Sequence, residues 1–423
     1  MGAGALLAWR ATGPQGTLLD FATPGRLFIV LFLATTGVGT LIISASGEAT
    51  GAGAAVAAMG LLAFGAGATL GAARWGRGRA LGPPAEPGRF RPVVVLALAG
   101  IGIAGYLAIA SRNGVPFLTA DAQSSRVAYT GLAFDLFRWL VPPAALAVLA
   151  AALARPSRRL WVGAAAALAA VAGILFLTAS RALPAELALA ALLLVWWTGR
   201  RLSRRVWAML GIAALIFFVG VQLLRVGSHG SFRDPADVGG FVAGRTVERV
   251  VLIQARTLEL VVVEIPAVQP YYLGSTYARW LAPLRGEATP KSLGTWLFEQ
   301  LFPGVPAGFV TPGLIGELWA NGGPILALGG MAAFGLLVQW LGRLLGRFDR
   351  GAADRVLAAL LVVAVSRTYA TSLNGFLLTA AIAVAWRLVV AAPTPPGWMS
   401  WPRSARDGAI APALDGRDEA AGE

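Results

Sequence analysis

Apolar runs of about twenty residues recur along this chain, and a run of that length has one stable way to cross a hydrocarbon layer about 30 Å thick. Lipid offers no partner to free backbone N–H and C=O groups, so each run must close its own hydrogen bonds as a helix. Ten runs can be read, at 26–46, 50–73, 93–111, 132–154, 160–179, 183–198, 206–225, 323–342, 356–372 and 375–392. The pattern predicts an all-α, polytopic integral membrane protein of about ten transmembrane helices. The shorter runs, 183–198 and 356–372, must borrow length from their polar ends or lean on neighbours.

Arginine placement sets the orientation. With the N-terminus taken as cytoplasmic, twenty-two arginines fall in cytoplasmic segments, while the short outer loops hold Arg112, Arg126, Arg181 and Arg367. Positive charge beside short loops stays inside, and long loops cross regardless of charge. The chain then divides into a cytoplasmic N-terminal segment (1–25), seven spans (26–225), one large, partly helical extracytoplasmic loop (226–322), three spans (323–392) and a cytoplasmic tail (393–423). That tail is rich in Pro, Gly and charge and is expected to be disordered. The first apolar run is too long for a signal-peptide core and is expected to stay as an anchor.

Composition excludes several classes of chemistry. A formal charge of +14 would point to nucleic acid in a soluble protein, but here most of it is the topological bias just described. No cysteine and a single histidine leave no thiolate site and only carboxylates for a metal, and no such cluster is visible. No metal or other cofactor is expected. Residues 47–72 are rich in Gly and Ala, which suits close helix packing. No internal repeat is evident, which counts against a transporter built on inverted halves.

The long loop carries the polar chemistry. From Gly239 to Val268 it reads as an amphipathic helix in which Arg245, Arg249 and Arg256 fall on one stripe, with Glu248 and Glu259 flanking it. Such a stripe is either a salt-bridged face or a cradle for an anion, because guanidinium groups bind phosphate oxygens in a bidentate fork. From Pro270 to Val305, prolines and glycines break the chain into turns and one short helix at Leu293–Leu301. Tyr272, Tyr277 and Trp280, with Tyr271 and Trp296, offer flat faces that stack on sugars or lie at a membrane interface. Arg285 and Lys291 bracket a turn whose amides can add to an anion site. Thr311 and Pro312 read as N-cap and first residue of a further helix, which carries Glu317 two turns in. His229 lies in a glycine-flanked loop, and Asp121 in an exposed polar one. Asp135 and Arg138 share a face of the fourth span, where they can neutralise each other.

Four pieces of this pattern carry a family resemblance: RNGVPFLTADAQSSR before a polar span, TASRALP, PYYLGSTYARWLAPLRGEATPKSLG, and TPGLIGELWANGGP leading into the eighth span. Over roughly residues 26–392 the chain resembles the oligosaccharide repeat unit polymerases (O-antigen polysaccharide polymerases, Wzy-type). It has Pro283-Leu284-Arg285 where relatives tend to carry a Pro-Arg pair. The resemblance implies a metal-independent glycosyltransferase of the bacterial plasma membrane. Such an enzyme moves a growing glycan from polyprenyl diphosphate to the next lipid-linked repeat unit on the outer face, sometimes alongside a chain-length regulator protein. Under it, Arg181, Arg245, Arg249, Arg256, Arg285 and Lys291 are the candidate diphosphate ligands. Glu317, His229 and Asp121 are the candidate bases, and Tyr272, Tyr277 and Trp280 the sugar platform. The alternatives are a ligase that moves finished glycan, a transporter or flippase of lipid-linked oligosaccharide, and a non-catalytic assembly factor.

Overall fold

The structure, a computed structural model, describes residues 1–12, 22–77, 91–119, 132–178, 182–198, 246–278, 291–304, 308–346 and 351–391, with the single positions 129, 180, 220, 240 and 244. Among the described residues there is helix and no β-strand, and seven helices are long and apolar enough to cross a membrane. This is an all-α, membrane-embedded architecture. Nine of the ten predicted runs coincide with described helices; the tenth, 206–225, lies almost wholly outside them, as does the tail beyond 391.

In chain order the helices are α1 (Gly2–Thr12), α2 (Pro24–Ala45, with a π-turn at Leu33–Gly37), α3 (Ala52–Trp75), α4 (Pro92–Asn113), α5 (Leu132–Ala154), α6 (Arg158–Leu177) and α7 (Ala182–Trp197). They continue as α8 (Ile253–Glu264), the single turn α9 (Ser275–Ala278), α10 (Leu293–Leu301), α11 (Gly313–Leu345), α12 (Ala352–Arg367) and α13 (Leu373–Val390). Short polar starts explain several boundaries. Thr23, Ser157, Ser292 and Ser372 each accept a hydrogen bond from a first-turn amide of α2, α6, α10 and α13, which satisfies donors the helix cannot.

Glycine sets the closest packing. Gly67 of α3 lies against the Ala332 carbonyl of α11, and Gly335 of α11 against the Phe64 carbonyl of α3. Neither contact leaves room for a side chain, so the two backbones touch, as small residues allow in membranes. Phe28, Phe64 and Phe334 knot α2, α3 and α11 together, with ring centroids 4.9 and 5.4 Å from Phe28. On the other side of the bundle α4 meets α5 through Gly102 and Gly105. The short α12 is buried nearly all round, so it lies within the bundle and leans on neighbours, as its length requires.

Two segments pack more intimately than their polarity predicts. The N-terminal segment forms α1, which lies on α3 with Gly4 against Leu61 and Leu62; Arg26 of α2 holds it by stacking on Trp9 at 4.9 Å. Helix α8 runs along α2 and α3, with Gly39 against Val251 and Ala255, and Gly53 against Glu259. Leu258 is buried in the main core of the bundle, while Ile253 and Val261 are buried in a second cluster with Leu293, Leu297 and Phe298 of α10. That burial gives this part of the expected loop its place on the bundle.

Candidate functional site

The site is built on a reversal of the chain. Helix α11 is interrupted at Gly322 and Gly323, the latter at φ 64°, a left-handed conformation open to glycine. An unbroken helix would separate residues 318 and 330 by about 18 Å, yet the Leu318 side chain meets Gly330. Ile315 and Met331 likewise both reach Gly60 of α3. The short arm 313–321 therefore folds back along the long arm 324–345; Gly322, Gly323 and Pro324 mark the break in the sequence, but not the direction of the reversal.

The turn between α12 and α13 clamps that arm. Leu314 N–H donates to Thr368 O at 2.8 Å, and the Thr311 hydroxyl donates to Ala370 O. Thr311 is thus not the N-cap the sequence predicts; Pro312 occupies that place. Gly313, at φ 67°, is pressed against the Tyr369 carbonyl. Glu317 is buried and accepts the Leu373 N–H at 2.7 Å, putting a carboxylate on the positive end of α13. Asn321 ties the arm to the preceding segment: it donates to Thr276 Oγ1 at 2.7 Å and accepts from Gly274 N–H at 2.9 Å. The Tyr277 hydroxyl is buried without a hydrogen-bond partner among the described residues. Burial, and then the charge of Glu317, push its pKa up.

On the far side of the same turn Arg367 faces a cavity of about 70 Å³ among α5, α7, α12 and α13. At about 10–15 Å³ per water, that admits several waters or a group of phosphate size. Arg367 donates to Glu186 Oε2 at 2.6 Å, while Glu186 Oε1 is buried with no partner among the described residues. Arg138 lines the same cavity. Among the described residues it has no hydrogen bond or close ion pair, though its charge acts on both Asp135 and Glu186. Two guanidiniums thus line one cavity inside a helix bundle, where ionisable groups are costly.

Of the predicted diphosphate ligands, Arg249, Arg256 and Lys291 are described. Arg249 lies over the Phe302 ring at 5.3 Å. Arg256 pairs with Glu48 at 2.8 Å and with Glu248 at 3.6 Å, and Lys291 pairs with Glu299. A π-turn at Glu248–Leu252 inserts an extra residue into the helix and turns the part before it by about 100° relative to α8. Arg249 lies within that turn and has the Phe302 ring as a neighbour, whereas Arg256 has Glu48 and Glu248. Glu259 turns to α3 instead. Its carboxylate accepts from Thr50 N–H, Thr50 Oγ1 and Gly53 N–H at 2.8, 2.6 and 2.6 Å, capping α3. Tyr272 is half-buried, its N–H bonded to Ala320 O at 2.9 Å, and burial raises the pKa of its phenol. Asp121, Arg181, His229, Arg245, Trp280 and Arg285 lie outside the described residues.

A search among known proteins returned no matching family model, no matching curated protein and no matching solved structure.

Sequence reasoning passed over Glu186 and gave Arg138 and Arg367 minor roles. The available signal was their position: each is an ionisable residue near the end of an apolar helix. What joins them is packing between helices 48 to 229 positions apart in the chain, and no local periodicity reports that.

Proposed function

We propose that this protein is a membrane glycosyltransferase that extends a polyprenyl-diphosphate-linked glycan, working on the outer face of a bacterial plasma membrane. The observation that carries the reading is the cavity between helices that Arg138 and Arg367 line together, with Glu186 bonded to Arg367 alone. A glycan on a lipid diphosphate leaves its carrier by breaking the anomeric C–O bond, and negative charge builds on the departing diphosphate. Preorganised guanidiniums stabilise that charge without a metal ion. The apolar walls of the cavity, among them Pro142, Leu183 and Leu360, suit the start of a prenyl chain. The acceptor sugar's hydroxyl gives its proton to a base as the new C–O bond forms. Glu317 is the described candidate for that base; it is bonded to Leu373, which follows Arg367 across the turn between α12 and α13, and that bond gives it a positioning role as well. The resemblance to repeat unit polymerases points the same way.

The test is the length of lipid-linked glycan in cells lacking the protein, rescued with wild type or Arg367→Ala. Accumulation of single repeats, with no rescue by Arg367→Ala at normal membrane abundance, supports extension. Long chains persisting on the carrier would make the protein a ligase, and repeats trapped on the cytoplasmic face would make it a flippase.

A further inference from the structure

We infer that Glu186 is an exchangeable internal counter-ion, which holds Arg367 until a phosphate-bearing group enters the cavity and then releases it. This deepens the proposed function and rests on its reading of the cavity as an anion site.

Three observations combine. The Arg367–Glu186 pair is only half made: one carboxylate oxygen accepts a guanidinium N–H at 2.6 Å, while the other is buried with no partner among the described residues. A half-buried pair kept for structure alone gains by satisfying both oxygens, since a buried, orphaned one costs desolvation with no return. Next, Arg138 faces the cavity with no hydrogen bond or ion pair among the described residues. Asp135 and Glu186 both feel the charge of Arg138, yet neither gives it a hydrogen bond, whereas a phosphate or diphosphate brings acceptor oxygens enough for both guanidiniums. Finally, Glu186 lies near the N-terminus of α7, which starts at Ala182. The positive end of that helix favours a carboxylate released from Arg367. Entry of the anion is then an exchange of partners, and the empty cavity is spared two bare cations.

The chemistry recognised is a phosphate or diphosphate group, carried either on a prenyl lipid or as the free inorganic anion. The experiment titrates farnesyl diphosphate and inorganic diphosphate into the full-length protein in phosphatidylcholine nanodiscs. Glu186→Gln and Glu186→Ala should each tighten binding by about threefold to tenfold, and Arg138→Gln or Arg367→Gln should weaken it by about tenfold or more. Preference for farnesyl diphosphate assigns the site to a lipid headgroup, and equal binding of the inorganic anion assigns it to free diphosphate. Tightening is required of whichever ligand binds. Unchanged or weaker binding by folded Glu186 variants overturns the counter-ion, even if the arginine variants behave as expected. Arginine variants with unaltered affinity overturn the anion site itself. Should neither Glu186 variant fold, infrared difference spectra of the wild type decide: farnesyl diphosphate must shift a carboxylate stretch, and an unshifted spectrum ends the proposal.

Discussion

Glu317 accepts the backbone N–H of Leu373 at 2.7 Å, so the foremost candidate base also closes the first turn of α13. The two roles separate by substitution. Glu317→Gln keeps an acceptor for that N–H but cannot take a proton; Glu317→Ala keeps neither. The expected outcome is near-normal membrane abundance for Gln with glycan extension lost. Ala should be destabilised by about 1–3 kcal/mol, read as a lower melting temperature in detergent. A Gln variant that extends glycan normally would leave Glu317 with a purely structural role.

Glu259 makes the stronger cap. Three donors from Thr50 and Gly53 converge on its carboxylate, which is 9% exposed as a residue. Glu259→Ala leaves the start of α3 without its acceptor and should cost about 3–5 kcal/mol, the scale for breaking a buried charged group's bonds. Thermal melts of wild type, Glu259→Gln and Glu259→Ala should fall in that order.

Gly67 and Gly335 cannot accept a side chain while α3 and α11 touch. Gly67→Leu should drive the helices apart and cost at least the roughly 1–3 kcal/mol of an overpacked core. Gly163, with open space around its Cβ position, should tolerate the same change. Yields of folded protein from the two variants check this directly.

Acid should weaken one surface tie. Hydrogen bonding to Arg256, followed by its charge, holds the Glu48 carboxyl below the usual carboxylate value. An acid whose pKa is depressed on folding stabilises the fold above its unfolded-state value, about 4.3, and loses that contribution as pH falls through the folded one. Melting temperatures of wild type and Glu48→Gln should differ at pH 7 and converge as pH falls from about 4.3 through the lower folded-state value. A gap that persists in acid would contradict the charge as its cause.

The hydroxyl of Tyr277, buried and unpartnered among the described residues, makes a prediction of the opposite sign. Tyr277→Phe removes an orphan and should leave stability unchanged or raise it by about 1 kcal/mol. If glycan extension falls in a variant that melts no lower, the hydroxyl serves a bound sugar.

The class of this protein was legible from its sequence, because apolar runs in lipid have no alternative to helix. Nine helices stand where hydrophobicity places them, and the short α10 runs from Leu293 to Leu301 as the turn residues around it predict. Tertiary structure decided where the carboxylates go. Glu259 reaches Thr50 across 209 positions, Glu186 meets Arg367 across 181, and Glu317 meets Leu373 across 56. The direction of the fold-back at Gly322 and Gly323 and the π-turn at Glu248–Leu252 are decisions of the same kind. Periodicity reports which face of a helix is apolar. Which polar group that face meets depends on how distant helices pack, and only the folded chain contains that information.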